Sequence, residues 1–584
     1  MTLGRSVLTP RARLFGWLWL ASVAGCHDAA PASDVPPTEA GPCATAPRDR
    51  FAAEPRAHDV LTQHNDVART GATLTETALD TCTASALVQV GEFPVDGEIY
   101  AQPLYAGGVS SALGEKNLLV VATLANSLYA FDADLPGSEA VWQLGREGEL
   151  GAPAFSSRNI SGMNGILATP VIDRESGSVF VVARDCDPAY PPAAPRCQQR
   201  LFAIELATGK ILQSVAVAGS ADNAQADSPT FFDPSLHWAR AALLLHQGRL
   251  FVSFGSGPNG NAHEEDFPFH GWLFGYSASD LTLAPSVYCS TPDFGGGAIW
   301  QSGNGPAADD RALYFATGNG IHQPTPVAPA GFPKQPEGDE DSLVRVPLAE
   351  PARSSRYWDA RPYHSDGNVF QYMEKNDIDL STAGPLLIPD SSQLVVSGKS
   401  GIVYLLNRDD LSLGQDPLEV FHAPALPAGQ SKYIYFYDGG PHVHGSPAFI
   451  RPNEESGAPG LGLIFLWPAH ERLKSFNYDY SSGLLAELAT SDLPELESGG
   501  TLSISADGPR PESAILWASA VDADGVSGHL WALSATTLTR LWDAKLPAWA
   551  KFAVPTVAAG RVYLASSSNQ PESKPAVLAF GLAP

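Results

Sequence analysis

Over most of this chain apolar residues gather in short runs bounded by Gly, Pro, Asn, Asp and Ser, with no helical period. Such runs read as buried β-strands. They come in pairs, and the pair recurs eight times. The first members are NLLVVAT from Asn117, GSVFVVA from Gly177, GRLFVSFG from Gly248, RALYFATG from Arg311, SQLVVSGK from Ser392, LGLIFLWP from Leu461, SAILWASA from Ser513 and GRVYLASS from Gly560. Their partners are SLYAFDA from Ser127, QRLFAIEL from Gln199, GWLFGYSA from Gly271, DSLVRVP from Asp341, GIVYLLNR from Gly401, RLKSFNY from Arg472, GHLWALS from Gly528 and AVLAFGL from Ala576. An all-strand repeat of about 50–70 residues predicts a radial β-propeller.

A third strand precedes each pair, and in six units it opens on a small or polar residue followed by proline: Gln102-Pro103, Thr169-Pro170, Gly305-Pro306, Gly384-Pro385, Ser446-Pro447 and Val554-Pro555. The intervals from Pro170 to Pro306 and from Pro447 to Pro555 are about double and skip one unit each. There the segments 240–245 and 501–505 stand in for the proline strand. Proline lacks an amide donor and suits a strand's start, here the innermost strand beside the central channel. The count is eight blades, each a four-stranded antiparallel meander. Unit eight ends at Leu582 without an outermost strand, and the alternating segment 87–93 is expected to close the ring from the other end.

Composition fits one exported, acidic body. The formal net charge of -27 over 584 residues repels phosphate backbones and excludes nucleic acid as a partner. Arg5, Arg11 and Arg13 precede an apolar run over 14–25 that is too short to span a bilayer and suits a signal-peptide core. It closes in Val23-Ala24-Gly25-Cys26, which resembles the bacterial lipobox, in which the cysteine is acylated. Residues 1–26 are therefore expected to be a lipoprotein signal peptide with Cys26 lipidated. Residues 27–56, rich in Pro and Ala, are expected to be a disordered tether, and residues 57–584 one propeller domain. The location implied is the bacterial cell envelope, by lipid anchor on the outer membrane, with no other membrane contact. An exported chain permits disulfides. Cys186 and Cys197 are the expected pair, Cys43 and Cys82 can pair only if the tether folds back, and Cys289 is a buried thiol.

Within the repeats, Leu128-Tyr-Ala-Phe-Asp-Ala-Asp-Leu-Pro-Gly137 leading to Trp142, the weaker stretch 201–210, and Leu530-Trp-Ala-Leu-Ser leading to Trp542 resemble the repeat of quinoprotein dehydrogenases, whose tryptophan locks neighbouring blades. The segments 64–71 (HNDVARTG), 95–103 (VDGEIYAQP), 295–302 (GGGAIWQS) and 442–447 (HVHGSP) resemble a set of exported bacterial propellers known by their pyrroloquinoline-quinone repeats. The resemblance implies a quinoprotein dehydrogenase-like fold and, as cofactors, pyrroloquinoline quinone with a divalent cation. The adjacent cysteine pair that covers the quinone in many such propellers is missing, as is any haem-attachment motif.

In a meander, the starts of the innermost strands and the loops between the paired runs share one face. Three of those loops, 185–198, 256–270 and 319–340, are long and form a lid over an axial funnel. At its rim the sequence places Gln102, Trp300, Gln301 and Ser302 as cofactor-binding candidates, with the Trp300 indole as a stacking surface. His442, His444 and Lys551 are the catalytic candidates. His442 and His444, two apart on a strand, face one volume and form with His270 the candidate metal shell, which His263 or His322 can equally complete. The plainer readings are histidines bonded to backbone at a strand entrance, a core indole and a solvated lysine. The acidic runs 264–266 and 339–341 read as solvated charge. Motifs of serine hydrolases, zincins and nucleotide-binding loops are absent from the sequence. Three functions follow: a quinoprotein-type oxidoreductase acting on a small molecule; a non-catalytic envelope scaffold that binds a protein partner, similar to the propeller lipoprotein of outer-membrane protein assembly; and a metal-dependent enzyme using the His-x-His pair.

Overall fold

The computed structural model describes residues 54–156, 160, 162–190, 195–223, 226–257, 269–320, 338–349, 356–359, 377–411, 417–422, 442–451, 461–508, 510–567 and 574–583. The chain divides into residues 1–43 and 44–584, and the described residues lie in the second unit. The signal peptide, Cys26 and nearly all of the tether lie outside the described residues.

Each of the eight predicted pairs forms an antiparallel ladder, from Gly114–Ala122 with Leu128–Asp132 in blade one to Arg561–Ser566 with Ala576–Leu582 in blade eight. All six prolines sit immediately before an innermost strand: Leu104–Ser111, Val171–Asp173, Ala307–Ala308, Leu386–Leu387, Ala448–Ile450 and Thr556–Ala558. Blade seven opens instead on Thr501–Ser505, and blade three on two short pieces, His237–Trp238 and Leu244–His246. Leu87–Pro94 pairs with Ala576–Leu582 and closes the ring. Between blades, Trp142 donates to the Leu206 carbonyl at 2.8 Å and Trp542 to the Leu87 carbonyl at 3.0 Å. These bonds tie blade one to two and seven to eight.

An innermost strand is an edge, and its outward N–H and C=O groups need partners. One segment, 60–76, supplies them around the axis. Val60 exchanges two 2.9 Å bonds with Tyr105 of blade one, and the carbonyls of Leu61, Val67, Ala68, Thr70 and Gly71 accept from Ile172, Ala308, Leu387, Phe449 and Ile504 of blades two, four, five, six and seven. Arg69 donates to the Leu243 carbonyl of blade three. Thr73 Oγ1 donates to Val557, and Glu76 Oε2 accepts from Gly560, both in blade eight. His64, Asn65 and Arg69 take left-handed backbone conformations to make the turns. Segment 60–76, with the polar run HNDVARTG at its centre, is thus a hub touching all eight blades.

Two sequence expectations change. The strands of blade two run on to Cys186 and Cys197, which face each other and are joined by a disulfide, so the loop between them is shorter than expected. Asp339, Glu340 and Asp341 are buried rather than solvated. Tyr288 donates to Asp339 at 2.5 Å, because the run folds inward to accept from hydroxyl and backbone donors. Cys289 is a buried thiol and Cys82 is disulfide-bonded, while Cys43 lies outside the described residues. The acidic run 264–266, with His263 and His322, also lies outside them.

Candidate functional site

The candidate residues lie largely on segments that precede the innermost strands. Before blade four the chain makes a tight turn in which Gln301, Ser302 and Gly303 all have positive φ, of 49°, 47° and 100°. This turn, not the strand the sequence suggested, carries Trp300. Its half-buried indole lies 6.0 Å from the Trp238 ring, over a cluster of Leu124, Ile160 and Leu167. A Cβ at Gly303 would sit 2.2 Å from Arg240 Nη1, so glycine is what lets the turn pass over that guanidinium.

Two candidates are framework. Gln102 is buried, accepts from the His64 N–H at 2.9 Å and donates to Thr556 Oγ1 at 3.1 Å, joining the hub to blade eight. Gln301 is buried and accepts from the Ala316 N–H at 3.2 Å within its own blade. Ser302 is buried in the turn.

His442 and His444 are neighbours as expected, with ring centroids 5.9 Å apart, and His444 stacks on Phe552 at 5.1 Å. Asn304 holds the His444 carbonyl at 3.0 Å and is itself held by Gln63 of the hub at 3.2 Å. Neither ring is placed to be cationic. Burial, then the Lys399 charge, lowers His442 to about 4 and His444 well below the usual imidazole value. His270 is not in this group. Its Nδ1 lies 2.9 Å from the Thr291 carbonyl and its backbone N–H donates to His237 Nε2 at 3.0 Å. The predicted three-histidine shell therefore does not assemble, and among the described residues no three His, Cys, Asp or Glu side chains converge to hold a metal ion.

Sequence reasoning missed the charged residues that complete the rim. Lys399, in the short turn after Gln393–Ser397, lies between two carboxylates, 2.6 Å from Asp377 and 2.8 Å from Asp379. The Val443 N–H donates to the Gly398 carbonyl and the Thr382 hydroxyl donates to the Val443 carbonyl, which fixes this pair beside the histidines. The carboxylates are pushed apart. Burial first, then the neighbouring Asp379 charge, raises Asp377 to about 6, although its side chain is 60% exposed. Burial would raise Asp379 as well, but the Lys399 ammonium outweighs it and holds that carboxyl below its usual value. A carboxyl pair split in this way matches a division into base and permanent anion.

Two further cationic groups, Arg240 and Lys551, lie within electrostatic reach of each other. Arg240 is fully buried; its Nη1 reaches the Leu167 carbonyl at 3.2 Å and its Cζ lies 5.4 Å over the Tyr100 ring, while Nη2 has no hydrogen-bond partner. Trp238 Nε1 is likewise buried and unpartnered, as is His444 Nδ1. An unmet buried donor costs about 1–3 kcal/mol. Burial, then the Arg240 and Lys399 charges, lowers Lys551.

No protein-family model and no curated protein matches the chain. Solved structures do. A quinohemoprotein alcohol dehydrogenase of Pseudomonas putida superposes with TM-score 0.53 at 15% identity, over 90% of this chain and 80% of that one. The enzyme of the same name from Comamonas testosteroni gives 0.54 at 14%, over 91% and 82%. A europium-containing methanol dehydrogenase gives 0.57 at 12%, over 90% and 98%. At these identities the likeness concerns the fold alone: this is an eight-bladed β-propeller of the quinoprotein dehydrogenase-like type.

Proposed function

We propose that the protein is a quinoprotein-type oxidoreductase that acts on a small hydroxylated molecule in the axial funnel, carried into the cell envelope by the signal peptide and anchored there through Cys26. The observation that carries the catalytic reading is the Asp377–Lys399–Asp379 group beside His442 and His444. Asp377 is accessible and poised near neutrality, so it takes the substrate's hydroxyl proton, while Asp379 stays ionised and fixes the Lys399 ammonium. His442 and His444, kept neutral, orient the hydroxyl as hydrogen-bond partners.

A planar quinone suits the neighbouring residues, where Trp300 offers a face and Arg240 and Lys551 offer donors for its oxygens. When bound, such a group accepts the two electrons of the oxidation. A divalent cation suits the described funnel poorly, since two imidazoles among Lys399, Lys551 and Arg240 give it neither a third ligand nor a favourable potential. The metal-enzyme reading loses His270 as its third ligand, and His263 and His322 lie outside the described residues. The scaffold reading gives no account of donors buried without acceptors.

The test is to titrate purified protein with pyrroloquinoline quinone, following absorbance, and to assay dye-linked oxidation of an alcohol panel beside Asp377→Asn. Quinone uptake with turnover that Asp377→Asn abolishes supports the reading; no uptake and no dye reduction by the wild type overturn it. The anchor is tested by fractionating Cys26→Ala, which should move from the membrane pellet to the soluble fraction.

A further inference from the structure

The innermost strands start on the funnel face, and the chain enters the ring on the other. Val60 pairs with Tyr105 and Asp59 Oδ1 accepts from the Gly107 N–H at 2.7 Å, so towards the N-terminus the chain follows blade one's innermost strand to its far end. Pro55 packs there, so closely that a Cβ at Gly107 would lie 2.0 Å from its carbonyl oxygen. Asp59 also holds Arg174, just after the innermost strand of blade two, at 3.2 Å. A second tie lies on the same side. Cys82 is disulfide-bonded, Cys186 and Cys197 pair with each other and Cys289 is free, so the partner of Cys82 is a cysteine of the chain before Glu54. Thr81 beside it donates to the Glu512 carbonyl at 2.8 Å, between the first two strands of blade seven. This face exposes leucines. Leu74 meets the far end of blade seven's innermost strand, Leu113 is 68% exposed in the turn after that of blade one, and Leu461 and Leu484 flank Asp479 of blade six. On the funnel side the exposed apolar residues are instead aromatic, among them Phe155, Tyr190 and Phe231. Cys26 lies 28 positions before Glu54. A coil of that length spans about 30 Å, and a domain of this size has a radius of gyration of about 24 Å. Leaving near the axis of the far face, such a chain reaches a membrane beneath that face with slack, but one above the funnel only by running nearly extended around the rim.

We propose that the face opposite the funnel is the membrane face: the ring rests with it on the bilayer surface, Leu74, Leu113, Leu461 and Leu484 enter the headgroup region, and the funnel opens away from the lipid. This rests on the Cys26 anchor of the reading above and not on its redox chemistry. Single leucines bury too little area to hold a soluble protein on a bilayer, but an anchored one is kept at high local concentration, where weak contacts set its orientation. The formal net charge of -27 makes a zwitterionic surface a better seat than an anionic one.

The experiment replaces residues 1–26 with a hexahistidine tag and binds the chain to phosphatidylcholine vesicles carrying a nickel-chelating lipid, beside the natural Cys26 protein reconstituted in phosphatidylcholine. A fluorophore at Leu113→Cys or Leu484→Cys, in a Cys289→Ser background, is expected to be quenched by a headgroup nitroxide several-fold more than one at Phe155→Cys or Phe231→Cys. Changing Leu74, Leu461 and Leu484 together to Glu should lower the quenching at Leu113→Cys while the tag still holds the protein on the vesicle, and phosphatidylglycerol in place of phosphatidylcholine should lower it too. Equal quenching on the two faces, stronger quenching on the funnel side, or quenching at Leu113→Cys that the three glutamates leave unchanged overturns the proposal. Should the natural Cys26 protein stay out of the membrane while the tagged chain shows the expected pattern, the face is supported and the anchor reading falls. A membrane-bound Cys26 protein quenched alike on both faces keeps the anchor and removes the face.

Discussion

Arg69 in the hub and Arg240 in the funnel wall are both wholly buried, and burial lowers both to about 10. Their surroundings differ. The Arg69 guanidinium is spent on the fold, bonding Pro306 O at 2.8 Å, Thr62 Oγ1 at 2.9 Å, Gln63 O at 2.6 Å and Leu243 O at 3.4 Å. Arg240 makes one bond within 3.2 Å, a long one at 3.5 Å to Tyr100 O, and leaves Nη2 unmet. Desolvation alone does not tell a structural arginine from a ligand-seeking one. Satisfaction of the donors does.

The contrast between floor and wall is open to direct attack. Deleting residues 57–93 removes the hub and the closing strand together. It should leave no stable fold, only aggregate from the exposed edges, whereas deleting 27–42, which spares Cys43 and the Pro55–His58 turn, should give folded protein with an unchanged Tm. Equal melting of the two truncations would break the comparison at its root. Next in size, Asp377→Asn should lower turnover by about 10²–10⁴-fold with little change in Tm. Arg69→Met should then cost about 3–5 kcal/mol in denaturant unfolding, because it leaves buried carbonyls unmet. Arg240→Met should stay within about 1 kcal/mol of wild type, since among the described residues no carboxylate is ion-paired with that charge. Comparable losses at the two arginines would erase the distinction drawn above.

The smallest expected effect is a pH dependence. Asp377 has an ordinary value of 3.8 and is raised to about 6 in the folded state. The folded state therefore holds the extra proton between those values, and stability from this group is present below about 4 and lost as pH rises to about 6. Asp379, shifted downward, is ionised in both states across that window and adds no slope there. The buried histidines His64, His237, His270, His442 and His444, all lowered, act the other way and gain stability over that range, so stability in thermal scans between pH 4 and 6 should rise less steeply in wild type than in Asp377→Asn, and the turnover of wild type should rise through half-maximum near pH 6.

The blades were legible because strand period, turn residues and the proline before each innermost strand are local signals. The site was not. Lys551 of blade eight could be named from its place before the last innermost strand, but Asp377, Asp379 and Lys399 of blade five and Arg240 of blade three join it only when the ring closes, and none of those four sits in a motif that marks it. The sequence does show His442-Val-His444, whose alternation places both rings on one side, but it cannot show that cations surround them. His270 was misassigned because spacing says nothing about a carbonyl at Thr291. The acidic run at 339–341 was read as solvated because charge runs usually are, and only the fold reveals Tyr288 as its donor.

The hub has a kinetic consequence. Segment 60–76 lies at the beginning of the propeller, yet its partners reach as far along the chain as Gly560. A chain delivered N-terminus first holds this segment for the whole of its synthesis with few of its partners made. Contacts of such sequence separation slow the search for the native state. Once seated, the segment bridges every blade, so no blade detaches without breaking into it. Opening should then be all-or-none with a high barrier, and persistence in the envelope should follow the rate of unfolding more than its equilibrium.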